Sequence, residues 1–438
     1  MATAPRPRLL TKYPILGNLS KMMTGTMIAQ LIALLTQPVV ARLYTDSHLG
    51  LLATFMAIPT IVASVSSLRY DMAIVLPKEN SEAGTLLRFS LLLSGAVSTL
   101  LALVGLLGRD AIAEYVGEPA LAPWAWLMGP VAFLIASNTI LAFWLNRHAD
   151  FSGIALKNVV TTSTNAVSRI GLALAGFASF LALVASQVAS FVLASAYMAR
   201  RARRHPLPRR TESSTPLRTL LRRYRKMPLL NAPNILVDSL RTQGMILLLG
   251  FTYQVSTVGQ FQQAWVLMQA PVTLIGGAMN QVFYQKFATA KRGELAGLAL
   301  RSVGFTLVVG LVPFTALWFL APWLVPAFLG DQWHEAGLIA QAIIPWLYLV
   351  LTTSPISTVF VVTNSQQHML MFSLVYMSAP LSIIWLNDGS IPLPELARWM
   401  ALAQAVLLCF LIVLTLHVSR RHDRGVAADQ ETTDTVDP

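Results

Sequence analysis

Charged side chains and cysteines are both scarce in this chain. Only 12% of its 438 residues are charged, whereas soluble domains carry about 25%. A soluble protein of this size could not cover its surface with so few charges, so a soluble globular fold is excluded. The single cysteine, Cys409, allows no internal disulfide and offers no cysteine cluster for a metal.

The motifs of common catalytic and nucleotide-binding sites are also missing. The chain contains no GxxxxGK[ST] phosphate loop, no HExxH, no CxxC and no GxSxG. Its seven histidines lie in loops, at predicted span ends or in predicted cytoplasmic segments, where we expect surface residues rather than metal ligands. We therefore expect a protein that is not an enzyme and that needs neither a metal nor a cofactor.

Long hydrophobic runs dominate the sequence. Hydrophobic residues make up 55% of the chain, and the mean hydropathy is +0.59. The runs are about 20 residues long, which is enough to cross roughly 30 Å of hydrocarbon as a helix. This pattern predicts an all-α integral membrane protein with twelve transmembrane helices, at residues 18–42, 48–68, 84–107, 120–146, 152–175, 177–198, 229–252, 257–284, 295–321, 335–360, 368–387 and 395–418.

Positive charge is concentrated in one segment between the sixth and seventh predicted spans. Residues 200–226 hold eleven Lys or Arg and one acid, Glu212, and account for most of the net charge of +12. Because cytoplasmic loops of membrane proteins are rich in Lys and Arg, this segment predicts that both termini are cytoplasmic. Only Tyr224 is interleaved with the cations, so we expect no nucleic-acid partner.

The basic segment divides the chain into two sets of six spans. We predict a cytoplasmic N-terminal segment at 1–17, a first lobe at 18–198, a basic cytoplasmic linker at 199–228, a second lobe at 229–418 and a disordered cytoplasmic tail at 419–438. The N-terminal segment lacks the pattern of a cleavable signal peptide. Because six is even, both lobes begin on the same side, so a duplication would be a parallel repeat about a pseudo-twofold axis along the membrane normal.

Asp238 and Arg241 are the charged pair deepest within a predicted span. They are three residues apart, so they share a helix face and can neutralise each other. One interpretation makes Arg241 a contact for an anionic substrate and Asp238 an ion-coupling group, because intramembrane charges are usually functional. The other makes them a structural pair that seals helix packing. The sequence leaves both open.

Five further residues are candidate substrate contacts. Arg301 and Lys157 lie near inner span ends, where a long side chain can reach the interface. Arg69 can meet a phosphate or its neighbour Asp71, and Arg169 lies near an outer span end. Gln30 belongs to a scattered set of intramembrane amides, among them Asn165 and Gln187, that commonly join helices.

Four stretches resemble polysaccharide-export flippases, the Wzx-like branch of the MOP superfamily that includes the MATE transporters. They are QLIALLTQPVVARLYTDSHLGLLATFMAI and LRYDMAIVLPKENSEA in the first half, then GQFQQAWVLMQAPVTLIGGAMNQVFYQKFA and FLGDQWHEAGLIAQAIIPWLYLVLTTSPISTVFVVTNSQQHML in the second. The positions that match are Arg42, Gly50, Arg69, Tyr70, Asp71, Pro77, Lys78, Pro271, Gln281, Phe283, Trp333, Gly337 and Pro355. Asp238 and Arg241 are outside that pattern, so their role depends on the burial argument.

The resemblance implies a MATE-like fold of two six-helix lobes around a cavity that opens alternately to either side. It implies a flippase that moves undecaprenyl-pyrophosphate-linked oligosaccharides to the outer leaflet for O-antigen, capsule or exopolysaccharide assembly. Its expected partners are that lipid, the surrounding membrane lipids, a polysaccharide polymerase and chain-length proteins. The alternative is a MATE-like exporter of small organic cations, which needs carboxylates in the cavity, and Asp238 is the acid well inside a span.

Overall fold

The computed structural model describes residues 14–111, 119–205, 215–288, 293–363 and 365–434, and within them it is helical without a β-strand. Every predicted span coincides with a long helix, which confirms the all-α fold. In chain order the helices are α1 (Pro14–Leu43), α2 (Asp46–Val65), α3 (Asn80–Leu107), α4 (Met128–Arg147), α5 (Phe151–Leu174), α6 (Phe180–Ala202), α7 (Leu217–Arg223), α8 (Ala232–Thr252), α9 (Val255–Ala288), α10 (Leu295–Leu329), α11 (His334–Thr353), α12 (Val359–Val362), α13 (Gln366–Leu386) and α14 (Leu393–Asp434).

Ten of the described helices are long and apolar enough to cross a membrane, so the protein is a multi-pass membrane protein. The two other predicted spans, α5 and α9, are also helices, but their composition is more polar. A polar helix is tolerated in hydrocarbon only when its polar side chains face other protein segments or water. Helix α5 meets this condition by packing against α1 and α6.

Prolines shape the ends of three predicted spans. A 3-10 segment at Pro119–Leu127 precedes α4, and a π-helical turn at Met227–Asn231 precedes α8. The predicted span 335–360 is interrupted, because α11 ends at Thr353 and a 3-10 turn at Pro355–Thr358 follows. Proline has no N–H group and its ring clashes with the preceding helical turn, which favours a departure from regular α-helix at these positions. Other prolines are accommodated, since α10 continues through Pro313, Pro322 and Pro326.

The chain forms two compact units, residues 1–251 and 252–438, called here the first and second units. In the first unit α1 packs on α5, α5 on α6, and α3 on α4. In the second unit α11 packs on α9, α10 and α14. Helix α8 clusters with the first unit, whereas the sequence-based lobes place it in the second; the lobe boundaries stay a prediction.

The loop before α3 is held by Arg147 at the end of α4. Its guanidinium donates to the carbonyl oxygens of Ile74, Pro77 and Lys78 at 3.2, 2.6 and 3.1 Å. Ile74 and Trp144 lie beside Leu220 in one buried apolar cluster, so this loop and α7 share a core. The loop conformation is thereby fixed close to Arg69, Tyr70 and Asp71.

The last helix extends through most of the segment 419–438 for which the sequence predicts a disordered tail. Its residue Asp423 accepts backbone N–H groups from Leu295 and Ala296 at 3.4 and 3.0 Å. A carboxylate at a helix N-terminus is favourable because it meets unpaired N–H groups and the positive end of the helix dipole. This contact ties residue 423 to the start of α10.

Candidate functional site

Polar side chains recur every four residues along α5 in the first unit. Lys157, Thr161, Asn165 and Arg169 follow one another at this spacing, which places them in a slowly turning stripe about 18 Å long. Helix α1 approaches α5 very closely: a Cβ atom added at Gly25 would overlap the Cβ of Ala155. The small residues at this crossing let the two backbones meet.

Arg169 is held by an amide from the neighbouring helix. Its Nη2 donates to Oε1 of Gln187 on α6 at 3.0 Å, and Nδ2 of Asn165 donates to the same oxygen at 2.7 Å. The hydroxyl of Tyr44 donates to the backbone carbonyl of Arg169 at 2.8 Å. We call these four residues the Arg169 cluster. They come from α5, α6 and the residue after α1, so three segments must pack together to build it.

The charge of Arg169 has no acidic counterpart among the described residues. Within them no carboxylate lies within 4 Å of its guanidinium, and its buried Nε has no hydrogen-bond partner. Burial raises the pKa of the Tyr44 phenol despite the nearby arginine, which keeps the phenol neutral and able to donate. A half-buried cation balanced only by an amide dipole is expensive in a membrane, so the cluster is suited to receive an anion.

Arg69 lies in a strained turn at the end of α2. Leu68 and Arg69 have φ angles of 49° and 61°, in the left-handed region that side chains with a Cβ disfavour. Nη1 of Arg69 is 3.8 Å from Oδ2 of Asp71, and Nη2 is 2.7 Å from Sδ of Met72. The hydroxyl of Ser67 donates to Oδ1 of Asp71 at 2.8 Å. Of the two sequence interpretations, contact with Asp71 is therefore present.

A cavity of about 200 Å³ lies beside Arg69 and Asp71 in the first unit. Its walls include Thr60, Ser64 and Thr139, whose hydroxyls each donate to a carbonyl of their own helix. Since each hydroxyl has one proton, these groups can only accept from a cavity occupant. The cavity therefore combines several acceptors and a buried carboxylate with one arginine.

Asp238 and Arg241 form a direct ion pair on α8. Nη2 of Arg241 lies 2.8 Å from Oδ1 of Asp238, as their spacing of three residues predicts. The two side chains differ in exposure, 18% for Arg241 and 60% for Asp238. The exposed carboxylate is consistent with a titratable role, and the short distance is consistent with a structural pair, so both interpretations persist.

The remaining sequence candidates lie apart from these clusters. Lys157 is half-buried at the start of the α5 stripe, and Gln30 is half-buried on α1, which packs against α5. Arg301 is exposed on α10 in the second unit, and no carboxylate lies within 4 Å of it in the described part of the chain. Lys157, Gln30 and Arg169 thus belong to one group of packed helices, whereas Arg301 belongs to the other unit.

Sequence reasoning missed the immediate surroundings of the arginines. The sequence predicts Asn165 and Gln187 only as general interhelical contacts and does not single out Tyr44. In the structure Gln187 accepts from both Arg169 and Asn165, and Tyr44 donates to the Arg169 backbone carbonyl. The spacing of four between Asn165 and Arg169 is a signal that both lie on one side of α5. The choice of Gln187 as their partner depends on the rotation of α6, which spacing does not report.

Comparison with known proteins identifies the family. The family model described as "Polysaccharide biosynthesis protein" matches residues 39–338. No curated protein matches the chain.

Solved structures show the same fold at low sequence identity. The inward closed structure of the lipid II flippase MurJ is 12% identical, with a TM-score of 0.71, and the match covers 95% of this chain and 93% of that one. An inward-facing MATE family multidrug resistance transporter of the MOP superfamily is 15% identical, with a TM-score of 0.64 and coverage of 92% and 97%. A MOP superfamily transporter from Pyrococcus furiosus is 14% identical, with a TM-score of 0.62 and coverage of 92% and 95%. These matches confirm the MOP-type fold that the resemblance implied.

Proposed function

Because the chain belongs to the polysaccharide biosynthesis protein family, we propose that it is a flippase for undecaprenyl-pyrophosphate-linked oligosaccharides. It moves repeat units of O-antigen, capsule or exopolysaccharide across the bacterial inner membrane by alternating access. The likeness in fold to a lipid II flippase supports a lipid-linked substrate. The protein supplies a polar route for the headgroup and forms no covalent intermediate.

The Arg169 cluster is the observation that carries this proposal. A pyrophosphate cannot cross hydrocarbon unaided, because desolvation of an unpaired charge costs many kcal/mol. Arg169 offers a permanent positive charge, and its contact with Gln187 holds the guanidinium in place without neutralising it. An anion that binds there gains a charge-assisted hydrogen bond, while its polyprenyl chain remains in the lipid.

The other candidates extend the route. The headgroup or its sugars contact five of them at successive stages: Arg241, Arg69, Arg301, Lys157 and Gln30. Asp238 couples transport to an ion. The hydroxyl-lined cavity beside Arg69 supports a role in contact with sugar hydroxyls. Both termini face the cytoplasm, and the expected partners are a polysaccharide polymerase and chain-length proteins.

A deletion strain tests the proposal. We expect it to accumulate undecaprenyl-linked repeat units on the cytoplasmic leaflet and to lose surface polysaccharide, and the wild-type gene should reverse both effects. Extraction of lipid-linked sugars, followed by mass spectrometry, measures the pool. Normal surface polysaccharide with no such pool would contradict the proposal.

Export of small organic cations is the second candidate, because the carboxylate of Asp238 is exposed. Arg241 lies 2.8 Å from that carboxylate and offsets its charge, which weakens this alternative. If the protein is a flippase and not an exporter, its overexpression should leave susceptibility to cationic drugs unchanged. A rise in resistance that Asp238→Asn abolishes would favour the exporter.

A further inference from the structure

Seven exposed cations lie together in the first unit, at the end of α6 and around α7. None of the seven has a carboxylate within 4 Å in the described part of the chain. We call them the basic surface: Arg200, Arg203, Arg204, Arg218, Arg222, Arg225 and Lys226. The nearby cations Arg209 and Arg210 lie outside the described residues and are not part of it.

Two paired arginines anchor the segments that carry the basic surface. Nε and Nη2 of Arg201 bind the two oxygens of Asp150 at 2.6 and 2.9 Å. Nη1 of Arg223 lies 3.0 Å from both oxygens of Glu82, and Thr215 donates to the same carboxylate at 2.7 Å. These contacts fix α6 and α7 relative to the loop before α5 and the start of α3.

Apolar packing completes the anchor. Leu220 of α7 is fully buried against Met198 of α6 and Trp144 of α4. The hydroxyl of Tyr70 donates to the carbonyl of Leu221 at 3.2 Å. Because one side of α7 is fixed in this way, the arginines on its other side are presented at a defined place rather than on a free loop.

The basic surface is next to two points where the chain enters the membrane. Its first part lies at and just after the end of the span Phe180–Ala202, and its second part precedes the span that begins at Met227. Leu229 and Leu230, in the first turn of this span, are 66% and 56% exposed. Exposed leucines beside exposed cations match a lipid layer, in which hydrocarbon and negative headgroups are adjacent, better than they match a dissolved polyanion.

We propose that the basic surface binds the headgroups of anionic phospholipids in the leaflet next to these span ends. The cations attract the phosphates, and Leu229 and Leu230 enter the acyl region. This role goes beyond setting topology and does not depend on which molecule the protein transports. By the predicted topology, the leaflet is the cytoplasmic one.

Lipid binding to the purified full-length protein tests this proposal. Fluorescent phosphatidylglycerol and phosphatidylcholine are titrated separately, at low and at high salt. The double variant Arg222→Gln/Arg225→Gln should weaken phosphatidylglycerol binding about tenfold and reduce its salt dependence, since each cation near an anionic surface contributes to binding. Arg222→Lys/Arg225→Lys should bind as the wild type does. The matched control, Arg109→Gln/Arg398→Gln, removes two exposed cations elsewhere and should leave binding unchanged.

Two further arms separate lipid from soluble polyanions. Leu229→Ser/Leu230→Ser should weaken phosphatidylglycerol binding, and inorganic polyphosphate should compete poorly with the lipid. If the glutamine variant binds phosphatidylglycerol as the wild type does, or if the control variant loses as much, the proposal is wrong. It is also wrong if polyphosphate competes fully and the serine variant binds normally, because the surface would then select dissolved anions. All the altered side chains are exposed, and the anchoring residues Arg201 and Arg223 stay unchanged, so the variants should fold.

Discussion

At the scale of single residues, the charge of Arg169 is the property on which the proposed transport depends. Arg169→Ala should lower complementation of a deletion strain at least tenfold, because a charged hydrogen bond contributes about 1.5–3 kcal/mol. Arg169→Lys keeps the charge but cannot reproduce the planar contact with Gln187, so it should retain part of the activity. Surface polysaccharide per cell measures the effect, and Arg398→Ala serves as the control at an exposed arginine. Activity of the alanine variant equal to that of the wild type would exclude a role for the charge.

Arg241 and Arg301 differ in their access to water, and this difference predicts different effects on transport. The Arg241 side chain is 18% exposed and is paired with Asp238, whereas Arg301 is exposed. Arg241→Ala should therefore impair complementation more than Arg301→Ala, since a less exposed arginine in a membrane needs a specific reason to be there. Asp238→Asn tests ion coupling: transport by this variant should lose its response to ion gradients. Near-normal complementation by both alanine variants would remove Arg241 from the site.

At the scale of helices, the crossing of α1 and α5 requires Gly25. A Cβ atom there would overlap the Cβ and backbone of Ala155, so Gly25→Ala forces the helices apart and disturbs the stripe that carries Arg169. We expect a loss of about 1–3 kcal/mol in stability, as is usual for overpacking. Gly171→Ala on α5 is the matched control, because nothing lies within 4 Å of its added Cβ. Thermal unfolding in detergent should show a lower Tm for Gly25→Ala and an unchanged or higher Tm for Gly171→Ala.

The contact between α5 and α6 at their shared end depends on the ionised form of Asp150. Hydrogen bonds from Arg201, Ser152 and the Gly153 backbone lower the pKa of this carboxyl to about 2, although burial opposes them. A lowered pKa in the folded state contributes stability that is complete above the unfolded value near 4 and is lost as the pH falls toward 2. Asp150→Asn should thus lower the Tm between about pH 5 and 8. Below about pH 4 the difference from the wild type should shrink, and a difference that persists at pH 2 would contradict this assignment.

At the scale of the whole molecule, the length of the hydrophobic runs was sufficient to locate twelve long helical segments, ten of which are apolar enough to cross a membrane. The same information did not predict that α11 ends at Thr353, because a proline inside a membrane helix can either kink or end it. The arginines could be predicted as candidates because charge in hydrocarbon is rare. The residues that bind them could not be predicted. Gln187 and Tyr44 reach Arg169 only once α1, α5 and α6 have packed, and a left-handed Arg69 has no signature in composition.

The predicted orientation of the whole chain is based on its charge distribution and is open to direct measurement. The basic surface should face the cytoplasm, because segments rich in Lys and Arg are retained there. In a Cys409→Ser background, a cysteine at Asp388, in the loop between α13 and α14, should react with a membrane-impermeant maleimide in intact cells. A cysteine at Arg218, which is exposed on α7, should react only after permeabilisation. If the two labelling patterns were exchanged, both termini would be external and the basic surface would face the opposite leaflet. The basic surface would then still be able to bind anionic phospholipids, but the proposed direction of transport would have to be reversed.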